Sequence, residues 1–316
     1  MRGERSGCIT PFSGIMITKH RFDIRFALLC ILLVSTRVWA AGDPDQMPQR
    51  VVSLSPSVTE IVFALGAGER LVGVSRYCDF PEEVSRLPRV GGFVDPDYET
   101  IVSLKPELVI LLSSQRIAQR ELEKLKIFSV MVPHRTVEDV ETAILKIGRL
   151  LGVDERGRQL VNRIRSRAGA VRDAVTGLPR PRVMLCIGRS MSAPGSGPVY
   201  VAGKDGFYDR MIAMAGGENV CREERVAFPQ LSAEGVIRLD PDVIVDLVNI
   251  QGRPTQSPGE LVAQWQCLQN VKAVRTGKVF VLTDTRSLRP GPRYVEFLEQ
   301  LVPMLHPELT DGKSSP

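Results

Sequence analysis

One pattern occurs twice in this sequence, at residues 98–112 and at residues 232–247. In each copy a short amphipathic stretch leads through a proline turn into a run of aliphatic residues. The aligned pairs are Glu99 with Glu234, Leu104 with Leu239, Pro106 with Pro241, Glu107 with Asp242, and Ile110 with Val245. A helix, a turn and a buried strand in this order are typical of a parallel sheet covered by helices.

The two halves of the chain also begin alike, since residues 50–56 read RVVSLSP and residues 182–188 read RVMLCIG. A single match could be the common local sequence of a helix–strand turn. Two matches in the same order favour an internal duplication. We therefore predict two similar α/β lobes.

A long helix is predicted between the two lobes, over residues 154–175. Its apolar residues recur at intervals of 4, 4, 3 and 4, which is one face of an amphipathic helix: Leu160, Ile164, Ala168, Val171 and Val175. Such a helix would be about 33 Å long, enough to cross a small protein. The alternative interpretation is an ordinary surface helix. Gly152 suits the position just after a helix and Asp154 suits an N-cap, while Gly157 and Gly169 weaken the case for an unbroken helix.

The amino-terminal 40 residues are typical of a secretory signal peptide. Two arginines precede the apolar run 26–34, and residues 38–40 offer small-residue cleavage after Ala40. That run is too short to span a bilayer, which takes about 20 residues. An uncleaved anchor is the alternative, and Met16 is a second candidate start. The predicted organisation is a signal peptide over 1–40, a first lobe over 41–152, a connecting helix over 153–178 and a second lobe over 179–310.

Export is expected to place the protein in the periplasm. Cys30 follows Leu29 rather than the small residue of a lipobox, so a lipoprotein is not expected. In an oxidising compartment the remaining cysteines could form disulfides, and Cys221 with Cys267 is the first choice. Buried free thiols are the alternative, particularly for Cys186 on a predicted strand. The cysteines beyond the leader are Cys78, Cys186, Cys221 and Cys267.

Charge argues against a nucleic-acid partner. The formal net charge is +5, but six of the 41 basic residues and only two of the 36 acidic residues lie in residues 1–40. The rest of the chain is close to neutral, so the sequence shows no basic footprint for nucleic acid. We expect a monomer.

Catalytic motifs are missing from the sequence. No G-x-S-x-G nucleophile elbow occurs, and the nearest phosphate-loop candidate, residues 197–205, has the wrong spacing and an aspartate in place of Ser or Thr. Beyond the leader, His134 and His306 lack partners at metal-ligand spacing, and His134 is read as a loop histidine. We expect no cofactor and no metal. Binding is favoured over catalysis.

Loops at the carboxyl ends of the predicted strands are the expected ligand site, because ligands of open α/β sheets bind there. In two lobes these loops would most simply face each other across a cleft. They hold Tyr77, Phe93 and Phe228, which suit an amphipathic ligand, with Arg76, Arg189 and Arg286 nearby to grip an anionic group. Core aromatics and solvated arginines are the alternative. The loops are residues 55–57, 76–81, 188–198 and 284–290.

At the first of these loops, Ser57 followed by Glu60 predicts a capping box at the start of a helix.

Several of these segments resemble the periplasmic binding proteins of ABC importers, especially the group that binds vitamin B12 and ferric siderophores. The resemblance covers about residues 49–306 and is carried by RVVSLSPSVTEIVFALGAGERLVGVSRYCDFPEEV, VGGFVDPDYETIVSLKPELVILL, MAGGENV, VAFPQLSAEGVIRLDPDVIV and GKVFVLTDTRSLRPGPR. It implies an α/β fold of two Rossmann-like lobes joined by one long helix, with the ligand cleft between the lobes. It also implies ligand capture without catalysis and delivery to an inner-membrane permease.

The resemblance carries over to individual residues. The ligand-binding positions that it implies are Pro56, Tyr77, Phe93 and Phe228, and Arg286 is added as a nearby cation. Glu99 and Glu234 match the glutamates, one from each lobe, that dock in arginine pockets of the permease. The internal repeat had already paired these two glutamates.

Departures from the B12-binding pattern concern the ligand. Leu112, Phe93 and Phe228 replace tryptophans, Ile187 replaces an aromatic residue, and Thr285 followed by Arg286 replaces an acidic one. These departures mean weaker stacking and more positive charge. The resemblance still predicts cobalamin or a related corrinoid as the ligand, and a ferric siderophore or haem is the alternative. An exported α/β enzyme or a sensor domain is the alternative of another class.

Overall fold

The computed structural model describes residues 47–189, 197–204, 206–248, 256–284 and 289–311. These residues belong to one compact unit. The predicted signal peptide lies outside the described residues, and so does Arg286. Within the described part, no helix is long and apolar enough to cross a membrane.

The first lobe is built on a sheet of four parallel strands in the order β2-β1-β3-β4. Every residue of β1 and β3 is buried, as expected for strands covered on both faces by helices. The strands are β1 (Val51–Ser53), β2 (Leu71–Val74), β3 (Leu108–Leu112) and β4 (Ser129–Val132). The helices are α1 (Pro56–Ala64), α2 (Tyr98–Ser103), α3 (Arg116–Lys124) and α4 (Val137–Leu150), with 3₁₀ turns at Gly68–Arg70 and Glu82–Arg86.

The second lobe is built on a mixed sheet of six strands in the order β10-β9-β5-β6-β8, with β7 also paired to β5. The parallel part, β10-β9-β5, repeats the geometry of the first lobe, while β6 joins β5 and β8 antiparallel. The strands are β5 (Arg182–Arg189), β6 (Val199–Val201), β7 (Glu218–Asn219), β8 (Gln230–Leu231), β9 (Val243–Leu247) and β10 (Val279–Leu282). The short strands β6, β7 and β8 were not predicted.

From residue 154 onward, the described residues form one very long helix and six shorter ones. They are α5 (Asp154–Val175), α6 (Phe207–Met214), α7 (Ala233–Leu239), α8 (Pro258–Ala263), α9 (Lys272–Arg275), α10 (Tyr294–Leu305) and α11 (Glu308–Asp311), with a 3₁₀ turn at Gln264–Leu268. The described residues thus show the mixed α/β fold in two lobes that the sequence predicts.

Helix α5 has the predicted bounds, and all five of its predicted apolar positions are buried. Its N-cap is Val153 rather than Asp154, which lies in the first turn, where a negative charge is favourable beside the helix dipole. Gly157 does not interrupt the helix. A Cβ on Gly157 would lie 3.8 Å from the Gly148 Cα of α4, an ordinary van der Waals contact, so α4 packs against α5 at this position.

Two ion pairs link the polar edge of α5 to both lobes. Arg165 binds Glu141 of α4 at 2.6 Å, and Arg167 binds Glu299 of α10 at 2.6 Å, in each case through two guanidinium nitrogens. The connecting helix is therefore attached to α4 in the first lobe and to α10 in the second lobe.

The internal repeat is confirmed in atomic detail. Arg50 donates to the Leu104 carbonyl at 2.6 Å, and Arg182 donates to the Leu239 carbonyl at 2.7 Å. In both copies the carboxylate just after the proline accepts the backbone N–H of the same arginine, at 3.3 and 2.9 Å. Arg50 and Arg182 thus make the same hydrogen bonds in their own lobes, and each connects the end of the repeat helix to the first strand of its lobe.

The four cysteines within the described residues are unpaired. Cys221 is buried whereas Cys267 is exposed, and both are free, so the predicted disulfide between them is wrong. Cys186 is a buried thiol on β5, as its alternative interpretation expected. Burial raises its pKa well above the ordinary value, which keeps the thiol protonated and unreactive.

Candidate functional site

The site begins where β1 ends, at the turn that carries Pro56. This proline occupies the first position of α1, where its missing N–H costs no helical hydrogen bond. The N-cap is Ser55, which makes no side-chain capping bond, and its hydroxyl lies 3.0 Å from that of Ser57. The predicted capping box between Ser57 and Glu60 is therefore wrong. The Glu60 side chain is instead buried and binds arginines of the other lobe.

Tyr77 and Phe93 lie on two loops of the first lobe that contact each other. The Arg76 backbone N–H donates to the Gly91 carbonyl at 2.7 Å, and the Arg76 guanidinium pairs with the Asp95 carboxylate. The same guanidinium lies 5.9 Å from the centre of the Tyr77 ring. Both aromatic side chains are more than a third exposed, so their rings are available to a ligand.

A glycine allows this approach of the two loops. A Cβ on Gly92 would lie 2.4 Å from a carboxylate oxygen of Asp95 and 3.3 Å from the Tyr77 ring. A side chain at this position would displace the Asp95 carboxylate and crowd the Tyr77 ring.

Gln115 is a buried residue that holds this surface together and that the sequence did not single out. Its amide nitrogen donates to the Phe93 carbonyl at 3.1 Å and to the Leu54 carbonyl at 3.4 Å, and its oxygen accepts from the Leu112 N–H at 2.9 Å. One amide thus fixes the ends of β1 and β3 against the Phe93 loop. Leu112 itself is buried.

Phe228 lies on the second lobe, in the loop before β8. Its ring packs against the buried Tyr208 with 6.2 Å between the ring centres, while 46% of the residue stays exposed. Tyr77 and Phe93 on one lobe and Phe228 on the other are thus half-exposed aromatics on opposite lobes. Ile187, near the end of β5, is half-buried.

Arg189 is not the free cation that its position after a predicted strand suggested. It belongs to β5 and is buried, with its Nε 2.7 Å from the Asp246 carboxylate of β9. It also donates to the Leu261 carbonyl at 3.1 Å and binds the Gln264 side-chain oxygen. Trp265 completes the cluster, since its indole N–H donates to Asp246 at 3.0 Å. Arg189 thus stabilises the second lobe and is unavailable to a ligand.

Among the described residues of the predicted loops, Asp79 of the first lobe meets Arg289 of the second. They belong to a group of four charged residues that we call the interlobe cluster: Glu60, Asp79, Arg289 and Arg293. Arg289 of the second lobe binds both Asp79 oxygens, the Glu60 carboxylate at 3.3 Å and the Tyr77 carbonyl at 3.1 Å. Arg293 binds both Glu60 oxygens at 2.8 Å. The second lobe is thereby attached directly to the loop that carries Tyr77.

Arg289 of the interlobe cluster remains charged although its side chain is buried. Burial lowers the pKa of Arg289, but hydrogen bonds and charge from Asp79 and Glu60 outweigh this effect and raise the pKa above its ordinary value. The Arg293 guanidinium also lies 3.8 Å from the centre of the Phe80 ring, a cation–π contact.

Two grooves of about 400 and 460 Å³ lie along α5. Their walls combine helices of both lobes, and Tyr77, Phe93 and Phe228 are not among the residues that line them.

Glu99 and Glu234 occupy the same position, the second residue of α2 and of α7, and both are exposed. The caps of the two helices also correspond, since Asp97 accepts from the Thr100 N–H at 3.0 Å and Ser232 accepts from the Gly235 N–H at 3.3 Å.

The pKa of Glu234 is lowered, first by a hydrogen bond from its own backbone N–H and then by the Ser232 hydroxyl, so its carboxylate is ionised at neutral pH.

Comparison with known families identifies the fold and its role. Residues 51–285 match the family described as Periplasmic binding protein. The chain belongs to this family. Its members are substrate-binding proteins of transport systems.

Individual relatives differ in the ligand that their names give. A vitamin B12-binding protein of Yersinia pestis is 29% identical over 64% of this chain and 70% of its own length. An uncharacterised ABC transporter substrate-binding lipoprotein of Bacillus subtilis is 26% identical, over 83% of this chain and 81% of its own. A periplasmic haem-binding protein of Pseudomonas aeruginosa, 27% identical, superposes over 82% of this chain and 93% of its own with a TM-score of 0.71.

In the described part of the chain, no group of three or more His, Cys, Asp or Glu side chains lies close enough to hold a metal ion. His134 lies 3.3 Å from the hydroxyls of Ser113 and Ser114, and burial lowers its pKa. It is a neutral loop histidine, as the sequence predicts.

Proposed function

We propose that this chain is the substrate-binding component of an ABC importer and that it captures cobalamin or a related corrinoid. Family membership supports the role. The observation that supports the ligand class is the set of half-exposed aromatics on opposite lobes, Tyr77 and Phe93 against Phe228. Flat apolar rings on both sides of a cleft suit a large, flat chelate, which gains contact area on both faces.

The mechanism that we propose is enclosure without chemistry. Tyr77, Phe93 and Phe228 would stack on the ligand, Pro56 would line the floor at the end of β1, and Arg286 would bind a peripheral polar group. Glu99 and Glu234 would then dock on the permease, which draws the lobes apart and releases the ligand. No catalytic step is part of this proposal, which sets it apart from an exported enzyme or a sensor domain.

Haem is the second candidate ligand, and a ferric siderophore is the third. The haem-binding protein from P. aeruginosa has the same fold, and half-exposed aromatic rings suit the flat macrocycle of haem as well. The identity of the chelate is therefore the part of the proposal that needs a direct test.

The route to the site of action is part of the proposal. Residues 1–40 would direct export to the periplasm and be removed, without lipid attachment at Cys30. The mature chain would then consist of a first lobe over residues 41–152, a connecting helix over 153–178 and a second lobe over 179–310, and would act as a monomer.

Truncating one aromatic on each lobe tests the cleft. We expect Phe93→Ser combined with Phe228→Ser to raise the Kd for the bound chelate about 30-fold, because about 2 kcal/mol of stacking is lost. Isothermal calorimetry measures this change. Phe128→Ser is the matched control, since this exposed Phe precedes β4 at the opposite end of the first sheet. An unchanged Kd in the double variant would remove these residues from the site.

A further inference from the structure

The two copies of the internal repeat present the same surface. From residue 98 to 104 and from residue 233 to 239, each pair of equivalent positions has the same degree of exposure. The fourth residue of each helix is buried, whereas the second and the fifth are exposed. Helices α2 and α7 therefore turn equivalent faces toward solvent.

The exposed fifth residues are large and aliphatic in both helices. Val102 is 47% exposed and Ile237 is 40% exposed. Each follows its glutamate, Glu99 or Glu234, by three residues, which places the carboxylate and the aliphatic group on one face of the helix about one turn apart. An isolated exposed aliphatic residue needs no explanation, but a matched pair beside a matched pair of glutamates does.

Neighbouring exposed positions in the two helices have not kept their chemistry. Ser103 corresponds to Arg238, and the partly exposed Thr100 corresponds to Gly235. Folding of the repeat therefore does not require a particular side chain on this face. The second and fifth positions nevertheless remain acidic and β-branched aliphatic in both lobes.

We propose that Val102 and Ile237 are the apolar half of the surface that docks on the permease. This inference rests on the proposed function. Each lobe would present one carboxylate and one β-branched side chain to one of two equivalent subunits of the membrane permease. Two matched patches on one chain suit a partner with two-fold symmetry, because each patch then meets the same surface of one subunit.

The two halves of the patch would act on different rate constants. Exposed charges at an interface steer the encounter, so the glutamates should govern the association rate and its dependence on salt. An aliphatic side chain that becomes buried slows separation, so Val102 and Ile237 should govern the dissociation rate. Their loss should leave the ligand cleft unchanged, because neither residue lies in the cleft loops.

The test measures binding of variants of the full mature chain to nanodiscs. The nanodiscs hold the permease and ATPase with which the chain supports uptake. Surface plasmon resonance should show at least about 10-fold faster dissociation for Val102→Ser with Ile237→Ser, at an unchanged salt dependence. Glu99→Gln with Glu234→Gln should slow association and flatten its salt dependence. Leu125→Ser is the control, since Leu125 is 45% exposed but lies at the end of α3, outside the repeat.

Each outcome decides one claim. Unchanged dissociation of the aliphatic variant, with slower association of the glutamate variant, would overturn this inference and leave the proposed function standing. If neither double variant alters binding, the docking roles in the proposed function fail as well. The exchange Val102→Ile with Ile237→Val should restore wild-type dissociation, and equal loss in the exchanged variant would also contradict the inference.

Discussion

Replacing Arg189 by leucine should lower the free energy of unfolding by about 3 kcal/mol or more, because the Asp246 carboxylate would be left charged, buried and without its cation. The Asp246 side chain is 1% exposed, and one of its oxygens already lacks a hydrogen-bond partner. Urea unfolding monitored by circular dichroism measures the loss.

A double variant isolates the reason for this loss. Arg189→Leu combined with Asp246→Leu removes both charges, and it should recover most of the lost stability, since apolar pairs often replace buried ion pairs at little cost. Trp265 would lose one hydrogen bond, so recovery should be incomplete. A loss below about 1 kcal/mol in the single variant would show that Asp246 is not held as a buried anion.

The second large effect is expected at the junction of the lobes, where Glu60→Ala should cost about 3 kcal/mol because it removes the shared partner of two arginines. Glu60 is almost fully buried, and its carboxylate binds Arg289 and Arg293 from the other lobe. Thermal unfolding measures the cost. Hydrogen exchange should also become faster in the loops at residues 76–81 and 289–293.

An exposed ion pair provides the control for Glu60. Glu121→Gln breaks a pair with Lys124 on the surface of α3, and it should change stability by less than about 0.5 kcal/mol. Similar small effects of Glu60→Ala and Glu121→Gln would contradict the interlobe cluster as a stabilising contact between the lobes.

Much of the fold follows from local patterns in the sequence. The bounds of α5 were predicted because its apolar face repeats with the helical period over 22 residues. The duplicated helix–turn–strand was predicted because a proline and a run of aliphatic residues mark both copies. The strands β6, β7 and β8 were missed, since two or three residues are too few to carry a period.

The site was harder to predict because its contacts are distant in sequence. Glu60 fits a capping box when only its neighbours are considered, yet its partners lie 229 and 233 residues away. Arg189 looks like a solvated loop residue until β9 places Asp246 beside it. Gln115 carries no local signal, because its role depends on the carbonyl groups of Leu54 and Phe93 and on the backbone N–H of Leu112.

Titration of the mature chain with cyanocobalamin, followed by haem and ferric siderophores, tests the central claim most directly. Isothermal calorimetry should show saturable binding of cobalamin with one ligand per chain and no turnover of the bound molecule. Binding of haem or a siderophore in place of cobalamin would keep the binding role and replace the ligand. Absence of binding by all three, or chemical conversion of any of them, would contradict the account.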